Sequence, residues 1–416
     1  MRILVIGTGA REHALARSLA HDPSVWEVIV APGNPGTATI PNTRNMQVSA
    51  NDPADVAKLA QQVHADLVVI GPEAPLVAGV ADAVRERGIA VFGPDAAAAQ
   101  LEGSKAFAKE VMAAADIPTA RAHVCTSLEQ VQQALDSFGA PYVVKDDGLA
   151  AGKGVVVTDD RDAALAHAAA CLSQRPVVIE EYLDGPEVSL FCLADGRTVV
   201  PLAPAQDFKR LLAGDAGPNT GGMGAYSPLA WAPQTLTSEV VERVAQPAVT
   251  ELARRGTPFV GLLYCGLALT SRGLRVVEFN ARFGDPETQV VLARLRSPLA
   301  AALYAAAQGD LAALPPLSWS EDAAVTVVIA SHGYPESTRT GDVITGLSAA
   351  NAVPGVHVLH AGTAQADQVL TTAGGRVLSV VGTGADLASA RAATYAGVAA
   401  IDIDGGQYRS DIAANP

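Results

Sequence analysis

Four short, almost wholly apolar runs, RILVIG, EVIVAP, DLVVIG and IAVFGP, recur through the first hundred residues. Polar-faced stretches such as EHALARSLAHD and PADVAKLAQQV separate them. Runs of that length, rich in β-branched residues and without polar alternation, read as strands buried on both faces; the intervening segments carry the helical period. Strand and helix taking turns implies a parallel sheet with helices on both sides. Ligands of such sheets bind beyond the carboxyl ends of the strands. Those ends are GTGAREH, APGNPGT and GPEAP, all rich in glycine, proline and polar groups.

Gly7-Thr8-Gly9, after a strand and before a helix, has the outline of a dinucleotide-binding turn. Glu12 stands where its third glycine belongs, and Ala31-Pro32-Gly33-Asn34 ends the second strand in place of an acidic ribose ligand. A nicotinamide cofactor is therefore not expected, whereas a phosphate on the backbone N–H groups of this helix start fits.

A helix is expected from Ser104, and then the chain changes character. YVVK, GVVVT and PVVIEEYL are β-branched strands, with a helix, RDAALAHAAACL, between the second and third. Longer strands follow in EVSLFCLAD, TVVPLAP, GLLYCGLALT and LRVVEFN, the pattern of an antiparallel sheet. The proline-rich stretch from Leu311 to Asp322 reads as a domain boundary. AAVTVVIAS, VHVLHAG and VLSVVGTG, with a helix from Asp386, form a small closing domain. The 416 residues exceed one ordinary core, so two to four domains are expected.

A net charge of −14 disfavours non-specific nucleic-acid binding. The four cysteines lie far apart and form no C-x-x-C pair, which argues against a disulfide framework or a zinc site. The opening MRILVIG is too short for a signal peptide or a membrane span, and no later run reaches eighteen apolar residues. The expectation is a cytoplasmic protein with neither nucleic acid nor membrane as partner. Only six lysines occur against twenty-three arginines, and Lys105, Lys145, Lys153 and Lys209 all fall in glycine-rich or charged clusters. Lysine is a natural point charge for phosphate.

Four constellations carry chemistry. The segment Lys145-Asp146-Asp147-Gly148-Leu149-Ala150-Ala151-Gly152-Lys153-Gly154 lies between YVV and VVVT. It reads as a hairpin whose glycine-rich turn lets N–H groups approach a phosphate, with an ammonium group at each end. It is not a Walker A loop, because no helix follows directly. Glu180-Glu181-Tyr182-Leu183 ends a strand in acids and a turn that can offer backbone groups to an adenine edge, and Glu187 beyond it can accept from ribose hydroxyls. Glu278, Asn280 and Arg282 alternate along a strand and share a face. A carboxylate and an amide oxygen are hard ligands suited to Mg²⁺, and Arg282 beside them would bind an anion. Lastly, Gln206-Asp207-Phe208-Lys209-Arg210 leads into the glycine-rich segment Gly217 to Tyr226, a loop fit for a small polar substrate.

Together these resemble the ATP-grasp superfamily and, within it, the phosphoribosylamine–glycine ligase (glycinamide ribonucleotide synthetase) family. GTGAREHAL, APGNPGT, GPEAPLVAG, LEGSKAFAK, DGLAAGKGV, GPNTGGMGAYSP and EFNARFGDPETQ follow that family's motifs in order, essentially end to end. The last two are highly specific; ATP-grasp enzymes of other substrates share only a looser pattern. The resemblance implies a mixed α/β and α+β chain with an ATP-grasp fold. Its parts would be an N-terminal parallel α/β substrate domain over 1–103, a central body over 104–121 and 190–320, a small lid over 122–189, and a C-terminal domain over 321–416.

The resemblance also implies the site. Lys105 and Lys145 would meet the nucleotide phosphates, and the loop of Gly152, Lys153 and Gly154 would close over them. Glu180, Glu181, Tyr182 and Leu183 would line the adenine, Glu187 the ribose, and Glu278 with Asn280 the metal, Mg²⁺ or Mn²⁺. Gly9, Arg11, Glu12, Asn34 and Glu73 would hold 5-phosphoribosylamine. Lys209, Thr220, Gly221, Gly222, Met223 and Pro286 would line the substrate loop. Asp207, Arg282 and Asp285 would face glycine or its acyl phosphate, with Lys145 and Arg282 in the catalytic set. The implied reaction is phosphorylation of the glycine carboxylate by ATP, then attack by the phosphoribosylamine amine, on a monomer or weak homodimer. This chain departs from the pattern in three places: Asp146 where the family usually has Ala, Phe208 where it commonly has His, and a short loop before Gly217 that lacks a Lys often found there.

Overall fold

The computed structural model describes residues 1–149 and 154–414. The first four apolar runs are strands Arg2–Gly7, Glu27–Pro32, Leu67–Ile70 and Ala90–Phe92, all parallel, with a short fifth, Thr43–Asn45, on the edge beside Glu27–Pro32. The central strand is covered on both sides. Ile3 and Val5 enter one apolar core with Leu15 and Leu19, while Leu4 and Ile6 enter a second with Val56 and Leu59. That explains why the strand shows no polar alternation. Strand order reverses at Arg2–Gly7, which opens a crevice at its carboxyl end, where Gly9 to Glu12 begin the helix Ala10–Ala20.

The longer strands pair as read. Val199–Pro201, Glu187–Asp195, Val260–Thr270 and Gly273–Asn280 form an antiparallel sheet in that order. One face is apolar throughout, with Val188, Leu190, Leu263, Cys265 and Leu267 in the larger core. The other face is divided. Phe191, Leu193 and Leu262 pack against the helix Leu299–Gln308, and the far end bears Ser189, Tyr264, Glu278 and Asn280. The site is built on that polar end.

Strands Ala122–Cys125, Val177–Glu180, Tyr142–Asp146 and Val155–Thr158 make a separate antiparallel sheet, backed by helices Leu128–Phe138 and Arg161–Leu172. Its core of Cys125, Val131, Leu135, Val144 and Ile179 is distinct from the two larger ones. The span 122–189 runs past this sheet, since Glu187–Asp195 hydrogen-bonds within the central one. The closing unit is a five-stranded sheet of Gln206–Asp207, Gly224–Ser227, Ala323–Ala330, Arg376–Gly384 and Val356–His360, covered by helix Leu387–Ala399. Its first two strands come from the body segment, so the substrate loop between them is held by the C-terminal unit. No described helix is long and apolar enough to cross a membrane.

Candidate active site

Antiparallel register sets the polar end of the central sheet. Ser189, Gly266 and Glu278 lie in one row, and Phe191, Tyr264 and Asn280 in the next; residues directly opposite share a face. A Cβ on Gly266 would meet the Glu278 Cγ at 3.1 Å, so the missing side chain leaves the place that Glu278 crosses. Burial resists ionisation of Glu278, but the cations of Lys209, Lys145, Lys105 and Arg282 outweigh it and hold its carboxyl below the usual range. An ionised carboxylate beside the Asn280 amide is an open, oxygen-only donor set. It fits Mg²⁺, which keeps water and phosphate among its ligands. No closed cage of three or more His, Cys, Asp or Glu occurs among the described residues. Glu287 lies deeper, its Oε1 accepting from Tyr264 Oη at 2.6 Å and Ser189 Oγ at 3.3 Å.

The nucleotide end is a ring of lysines. The Lys145 ammonium, buried, donates to Val277 O at 3.0 Å and pairs with Glu180 Oε2 at 2.9 Å. The other Glu180 oxygen pairs with Lys109 Nζ at 3.0 Å. Lys105 Nζ donates to the carbonyls of Asp146 at 2.8 Å and Gly148 at 3.0 Å. Burial pulls the Lys105 and Lys109 pKa values down, only partly opposed by Glu278 and Glu180 respectively. Both oxygens of the Glu180 side chain are thus engaged by lysines. Glu181 is likewise a tie: Arg121 donates to it at 3.0 Å, and Arg272 of the central hairpin turn lies at 3.3 Å. The backbone of Tyr182 and Leu183 enters no hydrogen bond among the described residues, so this turn keeps groups for a ligand edge. Gly152 and Lys153 lie outside the described residues; Gly154 O accepts from Asp146 N at 2.7 Å.

Between this end and the substrate loop, Glu187 Oε2 meets Lys209 Nζ at 2.6 Å. Burial pushes the Asp207 carboxyl up to about 7; Lys209 resists, and Glu287, Glu187 and Glu278 add to the rise. Burial disfavours the Lys209 charge, but Glu187, Asp207 and Glu278 hold its pKa well above the lysine range. The substrate loop is closed on itself. Thr220 Oγ1 donates to Lys209 O at 2.7 Å, and Met223 N donates to Phe208 O at 2.7 Å. Gly222 has φ +109, and a Cβ there would lie 2.5 Å from Pro286, so only glycine lets the loop press on that turn. Phe208 is covered by the Arg409 guanidinium at 5.0 Å and packs near Tyr226.

The substrate end is made across units distant in sequence. Arg282 Nε pairs with Glu73 Oε2 at 3.1 Å, and its Nη2 with Glu102 Oε1 at 2.9 Å. Glu102 Oε2 also accepts from Ala281 N at 2.7 Å. Burial raises the Glu102 carboxyl despite Arg282, whereas the nearby Arg282 and Arg11 outweigh burial at Glu73 and lower it. Arg11 pairs with Glu12 at 2.5 Å and donates to Phe283 O at 3.1 Å. Glu12 Oε2 accepts from Gly9 N at 2.6 Å, and a Cβ on Gly7 or Gly71 would collide with the Glu12 side chain. A carboxylate therefore occupies the helix start expected to hold a phosphate. Asn34 is engaged as well, donating to Thr8 O at 2.8 Å and His360 O at 2.9 Å. Asp285 accepts from Gln289 at 2.7 Å and pairs with Arg376 at 3.2 Å; burial opposes its charge, but Arg376 and Arg11 keep it low. Arg376 also donates to the carbonyls of Gly221 at 2.6 Å and Asp285 at 2.7 Å.

Sequence reading missed Lys109, Glu102, Ser189, Tyr264, Glu287 and Arg376. Lys109 was legible as one of six lysines, one helical turn after Lys105. Arg376 carried no local signal.

Models of three parts of one family match in order: the phosphoribosylglycinamide synthetase N domain over residues 1–102, its ATP-grasp (A) domain over 103–288, and its C domain over 324–415. The chain is similar to a phosphoribosylamine–glycine ligase of Streptomyces coelicolor, 65% identical over all of this chain and 99% of that one. It is 57% identical to one of Mycobacterium tuberculosis, over 99% of this chain and 97% of the relative. The crystal structure of a phosphoribosylamine–glycine ligase from Thermotoga maritima superposes with a TM-score of 0.85 at 32% identity, covering 99% of this chain and all of that one. A biotin carboxylase from Campylobacter jejuni shares the fold alone, at 14% identity and a TM-score of 0.75, covering 98% of this chain and 92% of that one. Carried by a sheet face with an open oxygen-donor pair, a ring of buried lysines and an arginine bridging to the N-terminal unit, these matches mean that the chain belongs to the phosphoribosylglycinamide synthetase family of ATP-grasp ligases.

Proposed function

We propose that the protein joins glycine to 5-phosphoribosylamine at the expense of ATP, giving glycinamide ribonucleotide, ADP and phosphate, the second step toward IMP in de novo purine biosynthesis. The observation that carries this reading is the arrangement around Glu278. One end of its sheet face meets the lysine ring and the other meets Arg282, which is fixed by two carboxylates of the N-terminal unit. A triphosphate and a carboxylate-bearing acceptor would thus meet over one row of side chains.

Lys105, Lys145 and the hairpin loop with Lys153 would neutralise the triphosphate, with the Tyr182–Leu183 backbone at the adenine and Glu187 at the ribose. Glu278 and Asn280 would hold Mg²⁺, or Mn²⁺ in its place, which would supply neutralisation of the triphosphate charge. The glycine carboxylate attacks the γ-phosphorus in line, and the bond to the β,γ-bridging oxygen breaks to release ADP. The phosphoribosylamine nitrogen then attacks the glycyl phosphate carbonyl, and phosphate leaves. Positioning does most of this. Arg282 and Asp285 would orient the acyl phosphate and Asp207 the glycine amine, while Gly9, Arg11, Glu73 and the loop from Thr220 to Met223 shape the place of phosphoribosylamine. No nucleophilic side chain is needed.

We assign the substrate domain to 1–103, the body to 104–121 and 190–320, the lid to 122–189 and the closing domain to 321–416. The lid's independent core supports its motion as one piece. The enzyme is taken as a cytoplasmic monomer or weak homodimer. The test is ADP release with ATP, Mg²⁺, glycine and phosphoribosylamine generated in situ, each omitted in turn. ADP that forms only with all four supports the reading, and Glu278→Ala should abolish it with the far-UV spectrum unchanged. ADP release that ignores glycine sinks the assignment and points to the carboxylating chemistry of the fold's other branch.

A further inference from the structure

Behind the substrate end, on the far side of the helix that carries Arg11 and Glu12, lies an open pocket of about 240 Å³ to which none of the proposed catalytic machinery contributes. His13, Arg17 and His21 line it from one face of helix Ala10–Ala20, at successive helical turns. His357 and His360 line it from strand Val356–His360, and Thr39 to Pro41 close one side. The chain carries 43 acidic residues, yet none lines this pocket.

Its donors outnumber its acceptors. The Arg17 guanidinium, exposed at the rim, has no ion pair or hydrogen bond among the described residues, and neither ring nitrogen of His357 has a partner there. His13 Nδ1 accepts from the His360 N–H at 2.9 Å. In the neutral ring the proton then sits on Nε2, which has no partner among the described residues. His21 Nδ1 lies 2.6 Å from Arg17 O, which fixes its proton on that nitrogen. Burial depresses the imidazoles, aided at His13 and His357 by neighbouring charges: His13 and His357 fall to about 3 and His360 to about 4. The rings do not converge as a metal cage. What complements an unpaired guanidinium and free imidazole N–H groups, with no carboxylate among the lining residues, is a ligand made of acceptors.

We propose that this pocket binds a doubly charged oxyanion, inorganic phosphate or a phosphate monoester, held by Arg17 with His357 and His13 at the junction of the N- and C-terminal units. The junction is tied to the substrate end. A Cβ on Gly36 would lie 2.5 Å from both the His13 and His360 rings, and Asn34 of the same loop bonds to Thr8 O and His360 O. A dianion in the pocket favours protonated imidazole, so binding takes up protons and tightens as pH falls. Arg17 and His13 on the helix, His21 at its end, and His357 and His360 on the strand are the only titratable groups lining it among the described residues.

Sulfate keeps its charge from pH 5 to 8, so its affinity reports the protein's protons alone. Calorimetry of sulfate binding to the full chain at low ionic strength, repeated in buffers of different ionisation enthalpy, should show proton uptake and affinity rising severalfold from pH 8 to 6. Arg17→Gln should weaken it about tenfold, and His357→Gln should flatten the pH dependence. Both variants should leave ADP formation from ATP, glycine and phosphoribosylamine near wild type at saturation, which separates this pocket from the nucleotide site. Inorganic phosphate competing as well as ribose 5-phosphate assigns the free anion; a tighter monoester assigns the ester. Sulfate affinity that is absent, or unmoved by both variants, overturns the proposal.

Discussion

The two ends of the Glu278 face are built by different means. At the nucleotide end two units meet: Lys109 of the body shares Glu180 with Lys145, Lys105 of the body rests on carbonyls of the hairpin, and Lys145 donates to Val277 O of the central sheet. At the substrate end the partners come from three units. Arg282 reaches Glu73 and Glu102, and Asp285 reaches Arg376 of the closing sheet. The first arrangement joins the small sheet, which has its own core, to the body through three lysines. The second ties the body to the N-terminal unit and the closing sheet at once. The difference suggests that nucleotide binding tolerates local change, while the reaction depends on the body, the N-terminal unit and the C-terminal unit keeping their registry.

The strongest way to break that contrast is at Arg282. Arg282→Ala removes the positioned cation and leaves two carboxylates facing each other, Glu102 among them and nearly buried. The rate should fall by on the order of 10²–10³, and stability by roughly 3–5 kcal/mol, read as turnover and as chemical denaturation. Arg282→Lys should recover more stability than rate, because one ammonium cannot span both carboxylates in fixed geometry. Near wild-type turnover in the alanine variant would mean the substrate end is merely structural.

Lys109→Met sharpens the other side. It removes one of two cations on Glu180 and leaves Lys145 in place, a loss of about 1–3 kcal/mol. The KM for ATP should rise severalfold while the KM for glycine stays put. A matching change in the glycine KM would show that the two ends are not separable.

These regions also differed in what the chain disclosed. The hairpin of Lys145, the strand of Glu278 and the parallel sheet were legible because each is a local pattern: glycines between β-branched runs, alternation, or wholly apolar strands. Glu102 and Arg376 were not, since their partners lie 179 and 91 residues away respectively, and nothing nearby marks either as charged for a reason. The partners of Glu180 were hidden for a related cause. An acid at a strand's end looks like a ligand group, and only the fold brings Lys109 and Lys145 to both its oxygens. Glu12 taught the opposite lesson. It counted against a dinucleotide turn by its identity alone, and the fold shows why: its carboxylate takes the Gly9 N–H and fills the space beside Gly7 and Gly71.

The junction behind the substrate end should betray itself in pH dependence. His13 is buried and depressed to about 3, from an ordinary value of 6.5. Between those values the unfolded chain binds more protons than the folded one, so stability present above pH 6.5 is lost as pH falls toward 3. One such group contributes at most about 1.4 kcal/mol per pH unit. Denaturation at pH 7 and 5 should show a smaller acid loss in His13→Gln than in wild type. An equal loss in both would remove His13 from the account.

The smallest effect is expected at Asp146, where the family usually carries Ala. Its side chain turns away from Lys145 toward Arg175, 3.5 Å off, an ion pair without a formed hydrogen bond at that oxygen. Arg175 in turn lies across Gly148, where any Cβ would collide with its guanidinium. The carbonyls that hold Lys105 belong to the backbone of Asp146 and Gly148, not to the carboxylate. Removing the side chain should therefore spare the lysine ring. A partly exposed pair of this kind is worth about 0–1 kcal/mol, and an acceptor buried without a partner costs a comparable amount, so the two nearly cancel. Asp146→Ala should change stability by less than about 1 kcal/mol and the KM for ATP by less than about threefold. A larger rise in that KM would show that the Asp146–Arg175 contact sets the hairpin's angle over the phosphates, and that even the locally built end depends on a contact peculiar to this chain.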